Sequence, residues 1–105
     1  MQRNYKPPFK HFVKKQHTPL RMAIEDAVDE VCSNPKLGEG KTGDLQGIRV
    51  YKFTHKTQEY LIAYRPPTDE AMAEEGVEIE LLIIDFYQVG VHENFYADLK
   101  NYLKS

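Results

Sequence analysis

The chain has 105 residues, a length that accommodates one domain, and we predict a single domain over residues 1–105. Apolar residues at 41% and charged residues at 29% are typical of a globular protein and exclude an intrinsically disordered one. The only cysteine, Cys32, cannot form an intramolecular disulfide. Its place in a helical pattern favours a small buried residue over a nucleophile.

The sequence contains no apolar run that approaches the roughly 18–20 residues of a membrane-spanning helix. Its first residues also lack the apolar stretch of a signal peptide. We therefore expect a cytoplasmic protein that makes no membrane contact.

The charges are unevenly distributed, although the net charge is only −2. Residues 1–24 contain six basic side chains and no acidic one, whereas residues 69–80 contain six acidic side chains and no basic one. The basic segment is able to meet phosphate or an acidic partner, and it is also compatible with a solvated helix face. A pI near 6.1 argues against avid non-specific binding to nucleic acid, so we expect any RNA contact to be local.

Two helices are predicted in the first third of the chain. Residues 8–16 carry apolar side chains at the i, i+3, i+4 spacing of a helical face. Thr18 before Pro19 predicts the N-cap and first position of a second helix. That helix ends before Asn34-Pro35, because proline disfavours helical geometry in the residue that precedes it. We expect the two helices to form an antiparallel hairpin with an apolar seam.

The hydrophobic period changes from 3.6 to 2 after Gly47, which predicts strands. Residues 48–54 and 59–65 are rich in β-branched and aromatic residues and are separated by a short polar turn, so they predict a β-hairpin. Residues 66–76 are predicted as an acidic loop with room for a helical turn. Residues 77–89 are predicted as a long strand that is covered on both faces.

A closing helix is predicted over residues 93–103, where apolar side chains recur at helical spacing. The predicted fold is therefore α+β, with an N-terminal helical hairpin, an antiparallel sheet of three to four strands and a C-terminal helix.

Two familiar kinds of site are excluded by their spacing. The pentapeptide from Gly38 to Thr42 resembles the end of a phosphate-binding P-loop, but Pro35 occupies the position of the required first glycine. We interpret these glycines as turn residues. The four histidines have no paired ligand spacing and a single cysteine cannot complete a zinc site, so we predict neither a metal nor a cofactor.

Cationic, aromatic and histidine side chains gather in the second half of the chain. Strand alternation places Lys52 on one face of its predicted strand and Arg65 in line with the apolar residues of the next. His92 and Tyr96 are four residues apart and therefore share one side of the starting helix. Each residue also has a structural interpretation: an edge charge for Lys52 and Arg65, a helix N-cap for His92 and a packing residue for Tyr96.

The order of these residues resembles the RelE/ParE toxin superfamily. The similarity runs from about residue 9 to residue 104 and rests on residues 47–53, 58–64 and 89–100. The last stretch, with its His92-Glu93-Asn94-Phe95-Tyr96 helix start, is the most specific of the three.

This resemblance implies a small antiparallel sheet with helices packed against it. It implies a cognate antitoxin as partner, and for many members it implies ribosome-dependent cleavage of messenger RNA. It assigns Lys52 to a catalytic lysine, His92 to a late histidine found in one branch and Tyr96 to a terminal aromatic residue. Two positions depart from RelE, since Thr54 stands where RelE has a second lysine and Leu61 where it has an arginine.

We hypothesise that Arg65, on the face of Leu61, replaces the missing arginine and completes a catalytic set. That set consists of His92, Tyr96, Lys52 and Arg65. The hairpin residues predicted to bind RNA are Arg49, Tyr64, His55 and Lys56. His92 would act as acid or base, because histidine ionises near neutral pH, and the cations would hold the phosphate charge.

Three functions remain open from the sequence. The first is a ribosome-dependent endoribonuclease toxin, for which the ribosome and messenger RNA would be further partners. The second is a ParE-like inhibitor of DNA gyrase, which needs no acid–base group. The third is a catalytically idle homologue that pairs with an antitoxin and regulates its operon. The oligomeric state and the RNA sequence preference stay open as well.

Overall fold

The computed structural model describes all 105 residues and contains one five-stranded sheet with helices on both faces. The strand order is β1-β5-β4-β3-β2. The strands are β1 Gln2–Tyr5, β2 Glu39–Gly40, β3 Arg49–His55, β4 Gln58–Arg65 and β5 Ile83–Gly90. The helices are α1 Pro7–Lys14, α2 Thr18–Ser33, α3 Asp69–Ala73 and α4 Phe95–Lys104, with single 3-10 turns at Gly43–Leu45 and Ile79–Leu81.

The predicted β-hairpin is confirmed. Strands β3 and β4 pair antiparallel from Arg49↔Tyr64 to His55↔Gln58. The two residues between them, Lys56 and Thr57, have positive φ angles of 48° and 67°. Glycine is favoured at positive φ, and neither turn residue is glycine. The turn still forms here because two-residue turns of this kind match the right-handed twist of the strands.

The first strand was not predicted. Its four residues pair in parallel with β5, from Gln2↔Ile83 to Tyr5↔Phe86. Tyr5 also packs its ring against Phe9 and Phe86, at centroid distances of 5.1 and 5.5 Å. The segment is too short and too polar to show a strand pattern of its own. With β1 and the two-residue β2, the sheet is mixed and has five strands, so the predicted antiparallel sheet of three to four strands is wrong in both respects.

The predicted strand over residues 77–89 begins too early. Strand β5 starts at Ile83, and Ile79–Leu81 form a 3-10 turn instead. The pairing explains the limit, since β4 ends at Arg65 opposite Asp85 and β1 begins at Gln2 opposite Ile83. No neighbouring strand extends beyond these points to pair with the earlier residues.

The two N-terminal helices occupy nearly the predicted ranges, but they do not form a distinct hairpin. Helix α1 lies against β5 and α2 against β3, because both bury their apolar faces on the sheet. The predicted cap is displaced by one residue: His17 is the N-cap of α2, and Thr18 already belongs to the helix. Pro19 is the second residue of the helix, where its fixed φ fits and its missing N–H would have no helical partner.

The sheet separates two apolar clusters. On the face covered by α1 and α2, called here the helix-pair face, the buried side chains are Phe9, Ile24, Ala27, Val28, Val31, Ile62, Tyr64, Ile84, Phe86 and Val89. On the other face, called the α4 face, they are Leu45, Ile48, Val50, Leu61, Ala63, Phe95 and Leu99. The predicted alternation along β3 and β4 is thereby confirmed, because consecutive residues enter opposite clusters.

Candidate functional site

Lys52 projects from the α4 face. It alternates with Tyr51 and Phe53, which pack on the helix-pair face, and its own side chain is exposed. Across the sheet Lys52 pairs with Leu61, and Leu61 pairs with Gly90. Lys52, Leu61 and Gly90 are therefore neighbours on adjacent strands. Gly90 ends β5, so Lys52 lies two strands away from the start of the turn that contains His92.

His92 and Tyr96 lie together as predicted, although His92 precedes the helix and does not share a helical face with Tyr96. Their ring centroids are 5.8 Å apart with the planes at 72°, an edge-to-face contact. His92 is not the N-cap of α4, since Asn94 takes that position in a left-handed conformation with φ 60°. The structural interpretation of His92 is therefore wrong. The helix start is held by Gln88, whose side-chain amide donates to the Phe95 carbonyl at 2.8 Å.

Lys41 is the site residue that the sequence did not reveal. Strand β2 pairs Glu39 with Val50 and Gly40 with Arg49, which carries Lys41 to the rim of the α4 face. Its Nζ atom lies 2.7 Å from Glu39 Oε1 and 5.3 Å from the centroid of the Tyr96 ring, a cation–π distance. The only sequence signal was the rejected P-loop pentapeptide. A P-loop lysine lies at the N-terminus of a helix. Lys41 instead follows a two-residue strand, which supports the rejection of a P-loop.

The charges at this rim influence one another. The hydrogen bond from Lys41 holds the pKa of Glu39 below its usual range, and Lys52 adds a smaller effect in the same direction. Glu39 in turn raises the pKa of Lys41, with a further contribution from Tyr96. Glu39 pairs with Val50, two residues before Lys52 on the same face of β3, so Lys52 and Lys41 lie on the same side of the sheet as this carboxylate. The five residues Glu39, Lys41, Lys52, His92 and Tyr96 are called the Tyr96 cluster below.

Arg65 does not join this cluster. It lies four residues beyond Leu61 on β4, about 13 Å away at the rise of a β-strand. Its guanidinium carbon is 5.9 Å from the centroid of the Tyr87 ring, and its Nε donates to the Tyr87 hydroxyl at 3.4 Å. The structure therefore does not bring Arg65 to Tyr96, and the cation that lies over the Tyr96 ring is Lys41.

Arg49 and Tyr64 are structural residues on the helix-pair face. The Tyr64 side chain is completely buried, and its hydroxyl donates to the Pro35 carbonyl at 2.7 Å and accepts from Gly38 N at 2.9 Å. Burial raises the pKa of this tyrosine. Arg49 donates to the carbonyls of Gly38 and Lys36 at 2.8 and 2.9 Å. The predicted stacking of Tyr64 on a base is therefore wrong, because its ring has no free surface.

The remaining predicted RNA contacts lie at the tip of the hairpin. His55 ends β3 and alternates to the face opposite Lys52, and Lys56 is the first residue of the turn. The structure therefore does not bring His55 or Lys56 into the Tyr96 cluster.

Three further observations bound the chemistry of the molecule. No group of three or more His, Cys, Asp or Glu side chains could hold a metal ion. None of the helices is long and apolar enough to cross a membrane. Cys32 is half-buried against the helix-pair cluster, and this burial raises the pKa of its thiol, which disfavours the reactive thiolate.

The Tyr96 cluster combines groups that suit a phosphodiester. Two ammonium groups, Lys41 and Lys52, are able to hold phosphate charge, and the exposed imidazole of His92 contacts the same Tyr96 ring as Lys41. Tyr96 offers an aromatic ring on which a base could stack. Cations, a proton-transfer group and a stacking surface are the parts that RNA cleavage needs.

Comparisons with known proteins agree with the resemblance seen in the sequence. A family model described as ParE-like toxin of type II bacterial toxin–antitoxin system matches residues 4–100. No curated protein matches the chain. A chain in the crystal structure of the intact E. coli RelBE toxin–antitoxin complex aligns with a TM-score of 0.58 at 16% identity, covering 86% of this chain and 94% of that one. The fold is thus similar to that structure, and the chain belongs to the ParE-like toxins of type II bacterial toxin–antitoxin systems.

Proposed function

We propose that this toxin inhibits translation by cutting messenger RNA bound to the ribosome. The observation that carries the proposal is the Tyr96 cluster, in which His92 lies against Tyr96 while Lys41 lies over the same ring. A gyrase inhibitor would need no acid–base group at this position. The cluster is at the exposed rim of the α4 face, so a strand of RNA has access to it.

The proposed reaction uses the ribose 2′-hydroxyl next to the scissile phosphate as nucleophile. Its oxygen bonds to phosphorus and gives its proton to a base, the bond from phosphorus to the 5′-oxygen breaks, and an acid protonates that leaving oxygen. His92 serves as the acid or base, a role worth about 10²–10⁴ in rate. Lys41 and Lys52 stabilise the charge on the crowded phosphorane. Tyr96 stacks on a neighbouring base at roughly 1–3 kcal/mol.

The ribosome has a positioning role in this proposal. Holding two reactants in a reactive geometry lowers the activation free energy by several kcal/mol. A free toxin with only part of a catalytic set, as Thr54 and Leu61 suggest, then cuts RNA slowly and still acts on a messenger held in the decoding site.

The proposed protein partner is a cognate antitoxin that occupies the helix-pair side. The solved relative is itself a toxin–antitoxin complex. In this chain a cavity of about 460 Å³ lies between β1, α1 and α2, with an apolar floor and with Lys10 and Lys14 among its lining residues. An acidic segment with apolar side chains matches such a surface in charge and in hydrophobicity. Lys15 lies outside this cavity, so only part of the basic N-terminal segment is involved.

Induced expression tests the function. We expect methionine incorporation to stop within minutes while thymidine incorporation continues, and we expect cut messenger RNA on the ribosomes.

The second candidate, a gyrase inhibitor, is favoured by the ParE-like description of the matching family and by the residues at positions 54 and 61. It predicts the reverse order, with early arrest of DNA synthesis and accumulation of gyrase–DNA adducts. Expression without any growth arrest would favour the idle homologue.

A further inference from the structure

A second cavity adjoins the Tyr96 cluster and shares Lys41 with it. It has a volume of about 270 Å³ and lies between the glycine-rich loop before β3 and the segment that follows β4. Gly40, Lys41, Gly47 and Arg65 line it, together with Pro66 and its neighbours. Ile48 is the one hydrophobic residue among its ten lining residues, so the cavity is unsuited to an apolar side chain.

The charge of this cavity is positive. Three of its lining residues are cations, Lys41, Arg49 and Arg65, and the one acid is Asp69. Asp69 is already paired with Lys36, whose Nζ lies 3.2 Å from its carboxylate. Arg49 is partly committed to the carbonyls of Lys36 and Gly38. Lys41 is paired with Glu39 at 2.7 Å, so Arg65 is the cation best placed to meet an anion, with Lys41 beside it.

The position of Arg65 depends on two features of its surroundings. Gly47 has φ 88°, and a Cβ atom there would overlap the Arg65 Nη1 atom, so only glycine lets the guanidinium lie across this backbone. On the other side is Tyr87, whose hydroxyl accepts from Arg65 Nε. Tyr87 is at the irregularity in the pairing of β4 with β5, where Ala63 pairs with Gln88 but Tyr64 pairs with Phe86. A bulge of this kind redirects a side chain.

We propose that this cavity binds a backbone phosphate of single-stranded RNA next to the phosphate that is cut. Arg65 holds this flanking phosphate through its planar fork of donors, which matches phosphate geometry. Lys41 lies between the two phosphates, because it lines the cavity and contacts Tyr96 as well. The inference rests on the proposed function for the identity of the ligand as RNA, and it gives Arg65 a binding role in place of a catalytic one.

The test measures binding separately from cleavage. The probe is a fluorescent single-stranded RNA in which every ribose carries a 2′-O-methyl group, since such an RNA cannot be cut by its own 2′-hydroxyl. Fluorescence anisotropy over a range of salt concentrations gives both the dissociation constant and its salt dependence. The variants are Arg65→Gln, Arg65→Lys and, as a matched control at the C-cap of α1, Lys15→Gln.

We expect Arg65→Gln to weaken binding roughly ten- to hundredfold, the usual cost of a lost charge-assisted contact. The slope of log K against log salt should fall by about 0.7, the value for one phosphate contact on a single strand. Arg65→Lys should keep the slope and lose part of the affinity, because it retains the charge without the fork. Lys15→Gln should change neither quantity, because Lys15 lines neither this cavity nor the one proposed for the antitoxin.

Unchanged affinity and slope in Arg65→Gln would overturn the inference, and so would wild-type protein that fails to bind the probe at low salt. The proposed function fails separately: if translation continues on expression while Arg65→Gln still weakens binding, the cavity binds RNA without a cleavage reaction beside it.

Discussion

The two faces of the sheet use the same kinds of residue for different purposes. On the helix-pair face, Arg49 and Tyr64 direct their polar atoms to the backbone of the loop before β2, and the tyrosine ring is fully buried. On the α4 face, Lys52 and His92 are exposed and Tyr96 is half-buried.

Polar groups that find their partners within the protein stabilise it, whereas a cluster of exposed cationic and aromatic groups has capacity left for a ligand. Residue type alone therefore does not distinguish the structural side chains from those of the candidate site. Burial and hydrogen bonding do.

The largest effect on activity is expected from His92→Gln on the α4 face. Glutamine keeps a polar side chain of similar reach but cannot transfer the proton, so cleavage of ribosome-bound messenger should fall on the order of 10²-fold or more. Tyr96→Phe keeps the ring and should be milder than Tyr96→Ala. Thermal unfolding of each variant is followed in parallel, because a packing defect would lower activity by another route. A folded His92→Gln protein with full toxicity would remove His92 from the mechanism.

The reciprocal change is a double charge reversal of Lys10 and Lys14 on the helix-pair side. These side chains line the cavity proposed for the antitoxin, so association should slow by roughly tenfold at low salt, as expected when steering charges are reversed. Stopped-flow or surface-based kinetics measure this rate. The control is Lys15→Glu, which alters the C-cap of the same helix outside the cavity and should leave the rate near that of the wild type. Equal effects from both variants would show that the lysines act only through non-specific electrostatic attraction and not through contacts at this cavity.

Tyr64→Phe tests the structural role of the helix-pair face. Loss of the hydroxyl leaves Gly38 N and the Pro35 carbonyl without their buried partner, so the free energy of unfolding should fall by about 1–3 kcal/mol. Urea denaturation measures this change. Cleavage at a temperature where the variant is folded should stay at the wild-type rate, and a selective loss of activity would instead place Tyr64 in the site.

The smallest expected effect is a shift in the titration of Glu39. Lys41→Gln removes the hydrogen bond that holds the pKa of Glu39 below its usual range, so that pKa should rise towards its ordinary value. Lys52→Gln should raise it less, since its contribution is the smaller of the two. A pH titration followed by carbon NMR of the Glu39 carboxyl group measures both. A larger rise in the Lys52 variant would show that Lys52, and not Lys41, has the larger effect on the pKa of Glu39.

The elements with local signals could be predicted from the sequence. Helical spacing predicted α1, α2 and α4 because an amphipathic helix needs an apolar side chain at every turn. Strand alternation predicted β3, β4 and the faces of Lys52 and Leu61, because successive side chains of a strand point to opposite faces of the sheet. The spacing of His92 and Tyr96 also predicted their contact, but the contact is made across the turn before α4, because the helix begins only after Asn94.

The tertiary structure alone decided which of these surfaces meet. Strand β1 exists because Gln2–Tyr5 pair with a strand some eighty residues later, which no local pattern announces. The two-residue β2 places Lys41 over Tyr96, and strand register keeps Arg65 away from it. A periodic pattern fixes the face on which a side chain lies, but the pairing of distant segments fixes its position along that face. The candidate site is made from both.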